Sequence, residues 1–138
     1  LPAFANLKTP SGRPANLTIT QLLTHTSGLG EADAAGARDA RTLANLETLW
    51  LAAPMQYEPG TQWKYTQSGI NAAARIVEVV SGKPFDVFVQ ERLFDPLGMK
   101  DTTFYPTDAQ RPRMVTAYTK HADTGALEIT PPRAEYGT

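Results

Sequence analysis

The sequence contains no cysteine. That excludes disulfides, thiolate metal sites and cysteine nucleophiles, and leaves the compartment open. Long apolar runs are also missing: none approaches the roughly 20 residues that a membrane-spanning helix requires. Charge of one sign is lacking too. The formal net charge is −1, and neither half of the chain has a strong excess. Nucleic acid and anionic membrane surfaces both want a basic face, so neither is expected as a main partner. No internal repeat and no low-complexity tract is present. The opening Leu1-Pro2-Ala3-Phe4 has no Met, no basic flank and no apolar segment. The expectation is therefore a chain without a signal peptide, either trimmed at its front or cut from something longer.

What is present suffices for one compact domain: 138 residues with ordinary apolar and charged shares. Residues 1–16 are rich in Pro, Gly and Asn and read as irregular. Thr18-Ile19-Thr20-Gln21 is a capping box that opens a short helix. Leu22 and Leu23 are its expected buried side, and Ser27-Gly28 stops it. Residues 31–38 hold no large apolar side chain and read as an exposed loop. A second helix is expected over residues 39–53, with Leu43, Leu46, Trp50 and Ala53 on one stripe. Pro59-Gly60 predicts a type II turn. A third helix is expected over residues 68–80, its apolar face Ile70, Ala73, Val77 and Val80, closed by Gly82. Pro84 opens a fourth, with Phe85, Phe88, Val89 and Leu93 as core stripe. Residues 114–118 and 127–130 read as two strands joined at Asp123-Thr124-Gly125. Residues 131–138 show no periodic pattern. The chain thus reads as mainly α, with a small β-hairpin near its C-terminus. Its short helices and long connections suit a subdomain that leans on something else.

Chemistry is sparse. Ser11, Ser27, Ser68 and Ser81 include no G-x-S-x-G elbow, and none is followed three residues later by lysine. His25 and His121 stand far apart without further ligands, so no metal site is expected. His25 reads as a hydrogen-bonded structural histidine and His121 as an exposed loop residue. Glu47 reads as a solvated helix residue and Glu58 as a turn residue, not as an acid/base pair. Tyr65 sits where an irregular stretch meets a helix start, in Gln62-Trp63-Lys64-Tyr65-Thr66-Gln67-Ser68-Gly69. Such junctions can aim polar groups into a cleft. On residues alone, though, a Tyr beside a Trp reads as packing.

The order of four segments adds to this. Leu22-Leu23-Thr24-His25-Thr26-Ser27-Gly28-Leu29 resembles a hallmark run of the serine β-lactamase-like family, which includes class C β-lactamases, D-alanyl-D-alanine carboxypeptidases and esterases. Tyr57-Glu58-Pro59-Gly60-Thr61-Gln62-Trp63-Lys64-Tyr65 resembles the next run. Ser81-Gly82-Lys83-Pro84-Phe85 and then Phe94-Asp95-Pro96-Leu97-Gly98-Met99 follow in family order. The resemblance covers residues 15–105. It implies an α+β parent, of which this chain is the helical part, residues 1–138, without the flanking α/β portion. It also implies acyl transfer through an acyl-serine on an ester, amide or β-lactam of small-molecule or peptide character, with no cofactor.

The family's Ser-x-x-Lys motif, and the later Lys-Thr-Gly or His-x-Gly motif, have no counterpart in these residues. The middle motif, Tyr-x-Asn, falls on Tyr65-Thr66-Gln67. The resemblance makes Tyr65 catalytic, a general base beside the family lysine, because a free tyrosine ionises only near pH ~10 and a cation favours the phenolate. It makes Gln67 a substrate-binding residue, with the amide of Asn on a stem one methylene longer. Consecutive residues point apart, so Lys64 is not that cation. A chain without the nucleophile is expected to be inert alone and able to self-associate through exposed core surface. A periplasmic or secreted parent is implied. Gln67 in place of Asn keeps a second reading open, a catalytically silent binding or structural module.

Overall fold

The structure, a computed structural model, describes residues 1–130, and the stretch 131–138 lies outside the described residues. The elements are α1 (Ile19–Leu23), α2 (Ala34–Asp39), α3 (Leu43–Ala52), α4 (Gln67–Ser81), α5 (Phe85–Val89), β1 (Tyr118–Lys120) and β2 (Leu127–Ile129). They fall into two compact units, Leu1–Val89 and Gln90–Thr138. The chain is mostly helical, with a single antiparallel hairpin among the described residues. No helix among those residues is long and apolar enough to cross a membrane.

In the first unit the opening is more ordered than its composition suggests. Pro2–Asn6 forms a 3-10 helix, and Lys8 and Pro14 face each other in an isolated bridge. Glu58 fastens this segment from the turn at Pro59-Gly60. Its carboxylate accepts from the Ser11 backbone N–H at 3.0 Å and from Arg13 Nη2 at 2.9 Å. Hydrogen bonding, led by Ser11, outweighs partial desolvation and holds the Glu58 carboxyl at about 2, against a usual 4.5. The turn itself is as expected: Thr61 N–H donates to Glu58 C=O at 3.1 Å, and Gly60 has φ +83°.

α1 carries both bonds of the capping box, Gln21 N–H to Thr18 Oγ1 and Thr18 N–H to Gln21 Oε1. Leu22 enters the core, but Leu23 does not; it is 53 % exposed. Neighbouring residues on a helix point about 100° apart, so one short helix buries one of the pair. Residues 31–38 are not simply a loop. Asp33 accepts from the N–H groups of Ala35 and Gly36 and starts α2, in a stretch where alanine favours helix. α3 begins at Leu43, where its apolar stripe starts and four residues later than the expected start at residue 39, because Thr42 caps it through Asn45 N–H. Trp50 is the deepest large side chain of α3, at 1 % exposure.

α4 is rotated from its expected setting. Its buried residues are Ser68, Gly69, Ala72 and Ala74, while Ile70 and Val80 are exposed. Gly69 explains this: a Cβ there would lie 2.7 Å from the Leu22 carbonyl oxygen. α4 therefore approaches α1 through backbone and small residues; Ile70 and Val80 turn away, while Ala73 and Ile76 stay partly packed against the core. The core joins Leu7, Ala15, Leu22, Leu29, Trp50, Met55 and Ala72. Each large member contributes roughly 1.5–3 kcal/mol by burial. Glu47 is not a solvated helix residue either. It pairs with Arg75 across α3 and α4 at 2.9 Å, and Glu78 joins at 3.1 Å. Both carboxylates keep the guanidinium charged, Glu47 contributing most. Gly82, at φ +69°, closes α4 as its position predicts. In α5, Val89 is buried.

In the second unit, Gln90–Phe94 is a π-helical turn, and Leu93 is exposed. The hairpin pairs Tyr118 with Ile129 and Lys120 with Leu127. Its first strand starts four residues later than expected, after the 3-10 turn Arg111–Arg113. His121 is half-buried, not exposed. Its Nδ1 accepts from Asp123 and Thr124 N–H and so shapes the hairpin turn.

Candidate functional site

The loop after α1 and the segment before α4 are laced together by backbone. Gln56 N–H donates to Gly28 C=O at 2.8 Å, Gly60 N–H to Thr26 C=O at 2.8 Å, and Lys64 N–H to His25 C=O at 3.0 Å. Gly28 permits this lacing. It has φ +75°, and a Cβ there would sit 2.2 Å from the Tyr57 carbonyl oxygen. His25 also lies in the left-handed region, at φ +58°, which histidine tolerates better than bulkier residues.

That backbone turn aims the His25 ring at the segment 63–66. Its Nδ1 accepts from Thr66 N–H at 3.4 Å, so it is the hydrogen-bonded histidine that the sequence suggests. Its ring lies 4.6 Å from the Tyr65 ring at a tilt of 37°, and 6.3 Å from Trp63, edge-on. Tyr65 is 62 % exposed, and Trp63 is exposed beside it. The simple packing reading of Tyr65 therefore does not describe it. One face rests on His25, and most of the residue is open to solvent.

Gln67 turns back onto Tyr65. Its Nε2 donates to the Tyr65 hydroxyl oxygen at 3.0 Å. The two sequence-predicted site residues are thus brought together. Lys64 Nζ donates to Gln56 Oε1 at 2.6 Å. Of the serines, Ser27 and Ser68 are buried and hydrogen-bonded. No group of three or more His, Asp or Glu side chains converges as metal ligands among the described residues.

Glu31 is the residue that sequence reasoning missed. Its Oε1 accepts from Gln67 N–H at 2.5 Å and its Oε2 from Ser68 Oγ at 3.0 Å. It lies 36 residues before Gln67, in a stretch read as loop, and no local pattern marks it. Sequence held no signal for it: Thr66 is a residue type that commonly caps a helix, and only the structure shows that its side chain makes no cap bond.

Comparison with known proteins gives one family. Its model, described as Beta-lactamase, matches residues 1–137. The chain is 35% identical over 130 residues to lovastatin esterase from Penicillium rubens, covering 88% of this chain and 32% of that protein. It is 33% identical over 121 residues to the D-alanyl-D-alanine-carboxypeptidase/endopeptidase AmpH of Escherichia coli, covering 84% and 31%. Among solved structures, EstCE1, a hydrolase with promiscuous acyltransferase activity, superposes with a TM-score of 0.73 at 26% identity, covering 94% of this chain and 36% of that one. The chain spans about a third of the length of these relatives.

Proposed function

The chain belongs to the beta-lactamase family, and on that premise we propose that it is the helical portion, residues 1–138, of a serine hydrolase. The whole protein cleaves an ester, amide or β-lactam bond in a small-molecule or peptide substrate through an acyl-serine, without a metal or other cofactor. Nucleophile and lysine come from a Ser-x-x-Lys segment of the flanking α/β portion, which is this chain's main partner. The lysine favours the Tyr65 phenolate. The phenolate takes the serine proton as the serine oxygen bonds to the substrate carbonyl carbon. The proton then passes to the leaving group as its bond to that carbon breaks. Water returns the serine by hydrolysing the acyl group. Gln67 holds the Tyr65 oxygen and offers its amide toward the substrate carbonyl.

The observation that carries this reading is the presentation of Tyr65: side chain exposed, ring resting on His25, oxygen bonded to Gln67 Nε2. Relatives named as an esterase and a carboxypeptidase/endopeptidase support the reaction class. By the same resemblance the whole protein acts outside the cytoplasm. The isolated chain is inert, and it self-associates through apolar side chains such as Ile70 and Val80 that α4 leaves exposed.

The test is steady-state turnover by the full-length protein of a panel of chromogenic esters, anilides and β-lactams. Tyr65→Phe is expected to lower kcat/KM by about 10²–10⁴-fold with an unchanged circular dichroism spectrum. Unchanged turnover removes Tyr65 from the chemistry. The second reading, a silent binding module, is favoured by Gln67 alone, which stands where the family motif has Asn. Intact Ser-x-x-Lys in the full-length sequence, with acylation of its serine, excludes that reading.

A further inference from the structure

We propose that Glu31 is a positioning residue for Tyr65, acting through the first turn of α4; this rests on the reading of Tyr65 as the proton-transfer group. An α-helix begins with backbone N–H groups that have no partner in the helix. Here the N-cap residue, Thr66, supplies no side-chain bond. Its own N–H is turned to His25. The Glu31 carboxylate fills the gap from a distant part of the chain, taking the Gln67 N–H with one oxygen and the Ser68 hydroxyl with the other.

Both contacts matter for the tyrosine. Ser68 is 1 % exposed, so its hydroxyl would be buried without this partner if Glu31 were truncated. Gln67 is the residue whose side chain reaches the Tyr65 oxygen. Fixing the Gln67 backbone fixes where its amide starts, and the amide fixes where the phenolic oxygen sits. Tyr65 is exposed and otherwise rests on the His25 ring. The hydroxyl position is therefore set by a chain of contacts: Glu31 to Gln67, Gln67 to Tyr65. A negative charge at a helix N-terminus is also favourable in itself, but that effect alone would change stability and not rate.

A stability role and a positioning role are separable in the full-length protein. Functional sites are first counted with a fluorophosphonate probe, so that kcat is expressed per competent site. Glu31→Ala is expected to lower kcat by about tenfold to a hundredfold, the scale of a displacement on the order of 1 Å, with KM within about twofold. Glu31→Gln, which keeps one acceptor oxygen, should fall between Glu31→Ala and wild type. The double variant Glu31→Ala/Tyr65→Phe should be no slower than Tyr65→Phe alone, because Glu31 works only through the tyrosine.

Unchanged kcat per site in Glu31→Ala, with only a lower melting temperature, overturns the proposal. So does a double variant slower than Tyr65→Phe by the full Glu31→Ala factor. If Glu31→Ala yields no titratable sites, the same criteria apply to Glu31→Gln. A Tyr65→Phe variant as fast as wild type is a different failure, that of the proposed function itself.

Discussion

In the unit Leu1–Val89, Leu22, Leu29 and Trp50 are at most 2 % exposed, and helices α1, α3 and α4 contribute to one apolar core. In residues 90–130 no side chain is buried; Leu97 is 69 % exposed and Val115 91 %. Beside one ring contact, Phe94 with Phe104, the second unit shows polar contacts of short range: the two-bond Asp101–Arg113 pair, the Gln110 side chain bonded to Thr107 and to the Lys100 carbonyl, and the ladder of β1 with β2. A hairpin of this kind is marginal on its own. The difference teaches that the site rests on the part of the chain with a core of its own. Tyr65 and Gln67 gain their places from α1 and α4, whose close approach is fixed by Gly69 against Leu22.

The contrast can be broken at its strongest point. Trp50→Ala in the full-length protein should cost about 3–5 kcal/mol, the usual loss for a buried large aromatic. Thermal unfolding followed by near-ultraviolet circular dichroism measures it. A loss below about 1 kcal/mol would mean that the first unit has no such core.

A smaller effect follows acid. Because the Glu58 carboxyl is depressed from 4.5 to about 2 in the fold, its contribution is fully present above about pH 4.5. It is lost as pH falls toward 2. The stability difference between wild type and Glu58→Gln should therefore be constant at neutral pH and close between pH 4.5 and 2. A difference that does not change over this range would place the anchoring of residues 8–14 elsewhere. The smallest effect belongs to the second unit. Val115→Ser should change stability by about 0.5 kcal/mol or less if Val115 stays in water in the full-length protein. A larger loss would show that another part of the protein covers it.

Much of this contrast was legible wherever the cause is local. The capping box at Thr18 and Gln21, the turn at Pro59-Gly60 and the glycine closing α4 each involve residues within four positions of one another, and all three form. The rotation of α4 was not legible. Its apolar stripe predicts Ile70 and Val80 inward, and only the approach of Gly69 to a carbonyl 47 residues earlier reverses it.

The site divides in the same way. Tyr65 and Gln67 could be named from the order of sequence runs. Their geometry depends on His25 and Glu31, which are 40 and 36 residues away. No periodicity reports contacts at that range. α2 was missed because Asp33 caps a stretch with no large apolar residue, and hydrophobic pattern has nothing to register there.

The most direct measurement is the single-turnover acylation rate of the full-length protein with a chromogenic ester, wild type against Tyr65→Phe. Acylation slower by at least about a hundredfold, with substrate affinity within about twofold, is the expected result. Equal acylation rates in the two proteins would contradict the assignment of proton transfer to Tyr65.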